Sequence, residues 1–213
     1  MGKLYMYVVD RDFGFAPNPF HGICTLATCK PDIRRNAKIG DWVAGMGGRR
    51  LKSTGKCIFA MQVSEVITYD QYWNDERFIA KKPVRNGSKK MLVGDNIYQK
   101  QNQTWVQADS HHSNSDGSTN FLNLKKDTSA NSVLISNNFY YFGSSPEIVP
   151  SEILQRMSYR NQIGHRTFSG TTGDEFLAWL KTSGPCNRLI SDPFDFNIAA
   201  DRYSGTGSKI VAK

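Results

Sequence analysis

The apolar residues of this chain occur in short runs, and this pattern constrains the fold more than any other feature. The runs are rich in β-branched and aromatic residues and end at glycine, proline, asparagine or charged positions, which is typical of β-strands. The clearest runs are residues 4–9, 23–29, 42–46, 57–69 and 133–142. The first part of the chain is therefore predicted to be mainly β-structure.

Two later segments, residues 150–160 and 169–184, have helical spacing. Their apolar positions are Ile153, Leu154, Met157, Phe176, Leu177 and Leu180. Strands followed by helices favour an α+β fold over a doubly wound βαβ fold. We expect a small mixed or antiparallel β-barrel with peripheral helices that lie mainly toward the C-terminus.

Length and composition fit one globular domain. With 213 residues, of which 39% are apolar, the chain needs neither disulfides nor a metal for stability. We expect a single domain over residues 1–213, with its core at about 3–195 and a loose tail at about 203–213.

The sequence shows no sign of export or membrane insertion. No run approaches the ~20 apolar residues of a membrane-spanning helix, and the N-terminus lacks a signal-peptide cleavage site. We expect a cytoplasmic protein with four reduced cysteines and no membrane partner. The spacing of Cys24 and Cys29 does not fit a zinc knuckle, so neither a metal nor another cofactor is predicted.

Positive charge is concentrated in one segment. The net charge is +8, and residues 30–56 contribute +6 of it around a glycine-rich turn at residues 45–48. Glycines allow backbone N–H groups to approach a phosphate, and arginines add forked donors. The predicted phosphate-binding residues are Lys30, Arg34, Arg35, Arg49 and Arg50. The alternative is a solvated basic face, and the glycine spacing matches no nucleoside-triphosphatase or dinucleotide motif.

An aromatic loop precedes this basic segment. Residues 12–20, DFGFAPNPF, provide both stacking surfaces and an amide, which are the groups that recognise a nucleobase. The predicted base-binding residues are Phe13, Phe15, Asn18, Phe20 and Thr25. The alternative is that these aromatic side chains only cap the core.

Two histidines and a cysteine are the candidates for catalysis. His111 and His112 lie in the polar stretch 109–120, which is predicted to be a loop outside the core, and either is suited to acid–base chemistry. Cys24 follows the aromatic loop and is the predicted nucleophile if the protein is an enzyme. The alternatives are solvated histidines and a core cysteine.

A long stretch of the chain resembles a known family. The residues YVVDRDFGFAPNPFHGICTLATCKPDIRRNAKIGDWVAGMGG, followed by VGDNIYQ, DSHHS and VLISNNFYYFG, are similar to the nucleotide modification associated domain family, type 2. The similarity covers roughly residues 5–145. It implies an association with modified nucleotides in prokaryotes and phages, without a defined reaction.

A second resemblance concerns architecture. The segments IGDWVAGMGG and GKCIFAMQVSEVITYDQYW resemble the strand–loop–strand passage of PUA-like and EVE-like domains. This resemblance implies a small β-barrel that holds a modified or flipped base in a pocket.

Together these features predict a nucleotide- or modified-base-binding protein of prokaryotic or phage DNA modification or defence, with a nucleotide or nucleic acid as its partner. The first alternative is an enzyme that modifies or cleaves a nucleotide, with acid–base chemistry at His111 or His112. The second is a protein-interaction or inhibitor domain with a basic docking face. The oligomeric state stays open.

Overall fold

The computed structural model describes residues 2–203 and 210–211 of the chain. The strands are β1 (Leu4–Val9), β2 (Cys24–Leu26), β3 (Trp42–Gly47), β4 (Lys56–Gln62), β5 (Glu65–Ile67), β6 (Tyr98–Gln101), β7 (Thr104–Gln107), β8 (Val133–Ser136), β9 (Phe139–Tyr141), β10 (Glu147–Ile148), β11 (His165–Phe168), β12 (Arg188–Leu189), β13 (Arg202–Tyr203) and β14 (Ile210–Val211). The α-helices are α1 (Pro31–Asn36), α2 (Tyr69–Asn74), α3 (Lys89–Leu92), α4 (Phe121–Thr128), α5 (Ser151–Arg156) and α6 (Thr171–Thr182). Within the described residues, no helix has the length and apolar character needed to cross a membrane.

A seven-stranded sheet forms the centre of the molecule. Its order is β11–β1–β3–β4–β9–β12, with β10 beside β4. The pairs β1–β3 and β9–β12 are parallel, and the remaining pairs are antiparallel. A smaller antiparallel sheet has the order β2–β8–β5. The pairs β6–β7 and β13–β14 form two further small sheets.

Strand β1 shows why the central sheet is apolar on both faces. Leu4 and Met6 belong to a core cluster with the apolar side chains of α5 and α6. Tyr5 and Tyr7 point to the other face, into a cluster with residues of α1 and the smaller sheet. Successive strand residues alternate between faces, so a strand covered on both sides reads as a continuous apolar run.

The predicted barrel is wrong, whereas the mixed content of helices and strands is confirmed. The central sheet stays open, because β11 and β12 lie at its two ends and do not pair with each other within the described residues. Helices cover one face and the smaller sheet covers the other, so the apolar surface is buried without closure. The helices are also spread along the chain, with α1 to α4 preceding the two predicted C-terminal helices.

The polar stretch 109–120 does not lie wholly outside the core. The side chains of residues 110–113 are buried, with His111 and His112 only 3% exposed. The polarity of these residues is satisfied by hydrogen bonds, for example from the Ser110 backbone N–H to Ser113 Oγ at 2.8 Å. Of the predicted loose tail, residues 204–209 and 212–213 lie outside the described residues.

We expect Gly47→Ala to destabilise the protein by about 1–3 kcal/mol. A Cβ atom at Gly47 would lie 2.2 Å from the backbone oxygen of Ser53, so β3 or the following loop would have to move. Gly173→Ala is the matched control. Gly173 lies in helix α6, and a Cβ atom there would be 3.8 Å from the nearest atom, the Cβ of Leu4, which is an ordinary contact distance. Thermal unfolding should show a gain of roughly 0.5–1 kcal/mol for the control, and equal effects of the two substitutions would contradict the prediction.

Candidate functional site

A cavity of about 240 Å³ opens where β1, the aromatic loop (residues 12–20) and the loop that carries His111 and His112 meet. We call it the aromatic cavity. Its lining residues are Tyr7, Val8, Val9, Asp10, Arg11, Phe13, Phe15, Ala16, Cys29, Lys30, His111, His112 and Tyr203. The structure therefore brings together Phe13, Phe15, Lys30, His111 and His112, which the sequence assigned to three separate motifs.

His111 forms part of the wall through its packing. Its ring centroid lies 4.4 Å from that of Phe13 and 5.1 Å from that of Phe15. His111 Nδ1 lies 2.6 Å from the backbone oxygen of Asp201, which can only accept, so Nδ1 carries the proton and Nε2 is an acceptor. Burial, together with the nearby His112, lowers the pKa of His111 to about 3. The ring is therefore neutral at physiological pH.

His112 has a different environment, although it is the next residue. Its Nδ1 lies 2.8 Å from Oδ2 of Asp127, and its Nε2 lies 3.8 Å from Sγ of Cys29. Burial by itself lowers the pKa of His112, but the charges of Asp127 and Cys29 and their hydrogen bonds outweigh burial and raise it to about 10. The two neighbouring histidines thus differ in charge: His111 is neutral and His112 favours the imidazolium form.

A second cavity, of about 690 Å³, adjoins the first along Val8, Asp10 and Lys30. We call it the basic cavity. Its other lining residues are Gly48, Arg49, Thr54, Asn161, Gln162, Ile163 and Gly164. The Lys30 ammonium lies 4.2 Å above the ring of Tyr7, so this cation sits between the two cavities.

The predicted basic cluster divides into a cavity group and a structural group. Lys30 and Arg49 line the basic cavity. Arg34 is 1% exposed and donates to four backbone carbonyls, so it is not available to a phosphate. Arg35 pairs with Asp32 on the surface. Arg50 forms a two-point contact with a carboxylate, Asp195, at 2.6 and 3.0 Å.

Two of the predicted base-binding residues build a buried polar network instead. The Asn18 amide donates to the Val93 carbonyl at 2.8 Å, and Asn18 Oδ1 accepts from the Lys81 ammonium at 2.8 Å. Thr25 donates to Asp95 Oδ2 at 2.7 Å. Neither residue lines the aromatic cavity. These contacts link strand β2 of the smaller sheet to the segments around Lys81 and Asp95.

Phe20 and Cys24 also lie away from the aromatic cavity. Phe20 stacks on Phe196 with ring centroids 5.4 Å apart. Cys24 is fully buried against Met61, and burial raises the pKa of its thiol to about 12. A buried thiol of this kind is inert, so Cys24 has no support as a nucleophile.

Comparison with known proteins agrees with the resemblance seen in the sequence. A family model described as nucleotide modification associated domain 2 matches residues 1–200. The chain belongs to this family. No curated protein and no solved structure matches the chain. Membership of the nucleotide modification associated domain 2 family gives this domain a role associated with nucleotide modification.

Sequence reasoning missed two central residues of this nucleotide modification associated domain, Cys29 and Asp127. Cys29 shares its short segment with Cys24, and only the fold shows which thiol faces a histidine. Asp127 lies on helix α4, where Asn123 and Asp127 are buried while Phe121 is 76% exposed. The sequence carries no signal for this burial, because the exposed apolar and buried polar positions of α4 reverse the usual helical pattern.

The contribution of His111 to the stability of the domain is expected to fall as the pH drops from about 6.5 to about 3. The folded state keeps His111 neutral, whereas the unfolded chain takes up a proton there, and this difference favours unfolding at low pH. Asp12 and Asp95 have pKa values raised to about 6 and act in the opposite direction. The comparison with a variant is therefore needed to isolate His111.

Urea unfolding over this pH range gives the slope of the unfolding free energy against pH. For His111→Gln this slope should differ from that of the wild type by up to about 1.4 kcal/mol per pH unit, because the variant lacks the proton uptake at His111. An unchanged slope would contradict the assignment of a neutral, buried His111.

Among the described residues, no cluster of histidine, cysteine and carboxylate side chains has the geometry to hold a metal ion.

Proposed function

We propose that this domain binds a nucleotide, with the base in the aromatic cavity and the phosphate in the basic cavity, as part of prokaryotic or phage DNA modification or defence. The observation that carries the proposal is that the two cavities lie side by side and share Lys30 as a lining residue. A nucleotide has a flat aromatic end and an anionic end, and the two cavities offer a matching pair of environments.

The aromatic cavity suits a nucleobase. Tyr7, Phe13 and Phe15 supply ring surface, and base–aromatic stacking contributes about 1–3 kcal/mol per base. His111 Nε2 is an acceptor for an exocyclic amino group, and Asp10 provides a second acceptor at the junction of the cavities. The cavity is smaller than the roughly 300–1,000 Å³ of sites for drug-sized ligands, which favours a single base.

The basic cavity suits a phosphate. Lys30 and Arg49 line it, and at Gly48 the backbone borders the cavity without a side chain. Burial lowers the pKa of Lys30, and among the described residues no carboxylate forms a salt bridge with this ammonium group. A bound phosphate would offset the cost of this burial by charge-assisted hydrogen bonds.

The test is isothermal titration calorimetry with the four deoxynucleoside monophosphates. Lys30→Ala and Arg49→Ala should each weaken binding by roughly tenfold to a hundredfold, because a hydrogen bond to a charged group contributes about 1.5–3 kcal/mol. Raising the salt concentration should weaken binding further. Lys38→Ala is the matched control, since Lys38 is exposed in the same basic segment and lines neither cavity.

Two results would count against the proposal. One is the absence of binding to all four nucleotides. The other is binding that Lys30→Ala, Arg49→Ala and Lys38→Ala leave equally unchanged, since the phosphate would then lie elsewhere.

A further inference from the structure

A cysteine and a histidine in the wall of the aromatic cavity form a chain of contacts with an aspartate behind them. Cys29 Sγ lies 3.8 Å from His112 Nε2, within hydrogen-bond reach for sulfur, and His112 Nδ1 lies 2.8 Å from Asp127 Oδ2. Cys29 and His112 both line the cavity, whereas Asp127 is fully buried behind them. A nucleophile, a base and a group that orients the base are the three elements of an activated thiol.

The thiol is held in position by its backbone. The Cys29 N–H donates to Asp127 Oδ1 at 2.8 Å, so one carboxylate fixes both the nucleophile and the base. Cys29 and Lys30 have φ angles of +57° and +40°, a left-handed conformation that residues with a side chain rarely adopt. Such strain persists only where the surrounding contacts enforce it, and it is concentrated at functional sites.

The base is held equally firmly. The backbone oxygen of His112 accepts from the amides of Asn123, at 2.9 Å, and Gln107, at 3.2 Å. Tyr98 donates its hydroxyl to Asp127 Oδ2 at 2.8 Å. With the Asp127 carboxylate held and Nδ1 bonded to it, the imidazole keeps Nε2 directed toward the thiol. This supporting layer is what a preorganised catalytic group requires.

The other three cysteines lack this environment. Cys24 and Cys57 are fully buried, and burial raises the pKa of each thiol. Cys186 is exposed, and its thiol contacts the amide oxygen of Asn138 at 3.0 Å rather than a histidine. Among the four thiols only Cys29 combines access to a cavity with a base.

We propose that Cys29 is a catalytic nucleophile, with His112 as its acid–base partner and Asp127 as a positioning residue, and that the substrate is a nucleotide carrying an acyl group in ester or amide linkage. This inference rests on the proposed nucleotide binding for its substrate class. It replaces Cys24 with Cys29 in the enzymatic alternative and assigns proton transfer at the thiol to His112, whose Nε2 contacts Cys29 Sγ.

The reaction balances with water as the only co-reactant. As Cys29 Sγ forms a bond to the carbonyl carbon, the proton shared by Sγ and Nε2 ends on His112 Nε2, and the C=O π electrons move to oxygen. When the C=O bond re-forms, the bond to the nucleotide nitrogen or oxygen breaks, and His112 protonates that leaving atom. Water then attacks the thioester, His112 takes its proton, and the carboxylic acid leaves as the thiol is restored.

Acyl transfer fits this geometry better than attack on a ring carbon. The imidazole of His112 is next to the sulfur. In the tetrahedral intermediate the sulfur and the leaving nitrogen or oxygen are bonded to the same carbon, so the imidazole is close to both. Both halves of the reaction need a proton moved at that place, and one imidazole suffices for both.

The first test measures thiol reactivity with iodoacetamide at neutral pH, resolved for each cysteine by mass spectrometry of peptides. Cys29 should react about tenfold or more faster than the more exposed Cys186. His112→Gln and Asp127→Asn should each slow Cys29 by at least about tenfold without changing Cys186. His21→Asn is the matched control, because His21 is exposed and lines neither cavity.

The buried cysteines report on folding in the same experiment. If a variant merely unfolds, Cys24 and Cys57 become accessible and their labelling rises. Slower labelling of Cys29 with Cys24 and Cys57 still protected therefore supports the assigned roles. Labelling of Cys29 at the rate of Cys186, unaffected by His112→Gln and Asp127→Asn, would overturn them.

The second test measures acyl transfer. With p-nitrophenyl acetate, the wild type should release a burst of nitrophenolate and carry an acetyl group on Cys29, and Cys29→Ser should lose both while Cys186→Ser retains them. N4-acetyl-deoxycytidine and N6-acetyl-deoxyadenosine monophosphates, followed by chromatography, test the nucleotide. Turnover of at least one of them, absent in Cys29→Ser, supports the inference.

The two proposals fail in different ways. Nucleotide binding by calorimetry without an activated or acylated Cys29 overturns the catalytic inference and leaves the proposed binding intact. An acylated Cys29 in a protein that binds no nucleotide and turns over neither acyl nucleotide overturns the proposed function, and the substrate assignment fails with it.

Discussion

Arg34→Met is expected to destabilise the protein by about 3–5 kcal/mol. Arg34 is buried, and its guanidinium donates to the backbone oxygens of Cys29, Asp127, Ala130 and Ser132 at 2.6–2.8 Å. Methionine fills a similar volume but donates nothing, so carbonyls that are buried would lose their partners, each at a cost of about 1–3 kcal/mol where no other donor is available. Urea unfolding measures the loss.

Arg35→Met is the matched control for this prediction. Arg35 is the next residue, but its guanidinium is exposed and pairs with Asp32 at the surface. Such a pair contributes between zero and about 1 kcal/mol, so the control should unfold almost like the wild type. Similar losses for the two variants would show that Arg34 does not hold the chain segments together as the structure indicates.

Lys81→Met is expected to cost roughly 2–4 kcal/mol. The ammonium of Lys81 is 1% exposed and donates to Asn18 O, Asn18 Oδ1 and Ile23 O at 2.9, 2.8 and 2.6 Å. Burial lowers the pKa of Lys81 to about 8, partly offset by the charge of Asp95, so the ammonium is charged at neutral pH. Its removal leaves buried oxygens without a donor and Asp95 without a nearby cation.

The loss at Lys81 should depend on pH in a defined direction. Burial raises the pKa of Asp95 to about 6, so below that pH the carboxyl is protonated and no longer needs the lysine charge. The cost of Lys81→Met should therefore be smaller below about pH 6 than above it. Lys82→Met, which removes a half-buried cation 4.1 Å above the Trp73 ring, should cost less than about 1 kcal/mol at either pH. A cost of Lys81→Met that does not change with pH would contradict the coupling to Asp95.

Strand positions were the part of the fold most accessible from sequence. The apolar run at residues 4–9 is β1, and the spacing of Phe176, Leu177 and Leu180 places them on the buried face of α6. Local sequence predicts such elements well because alternation and helical spacing depend on near neighbours. The open sheet was not predicted, because strand order and the lack of pairing between β11 and β12 in the described part of the chain depend on residues far apart in sequence and are not encoded in local sequence patterns.

Burial of polar residues was the main source of error. Ser110 to Ser113 look like a solvent-exposed loop, but they are covered by the aromatic loop and by strand β13. Likewise Arg34 and Lys81 look like surface cations and instead serve as buried donors. The sequence shows that a side chain is polar, but it does not show whether hydrogen-bond partners are present in the interior. Those partners come from segments that are distant in the chain.

The family and the mixed content of helices and strands follow from the sequence, and so does the choice of Phe13, Phe15, Lys30 and His112 as candidate site residues, since each carries its chemistry in its side chain. Which thiol contacts which base depends on the tertiary structure. Cys29, His112 and Asp127 come from three segments separated by 83 and 15 residues, and their contact depends on the packing of those segments. Reactivity of a thiol is a property of its surroundings, and those surroundings exist only once the chain has folded.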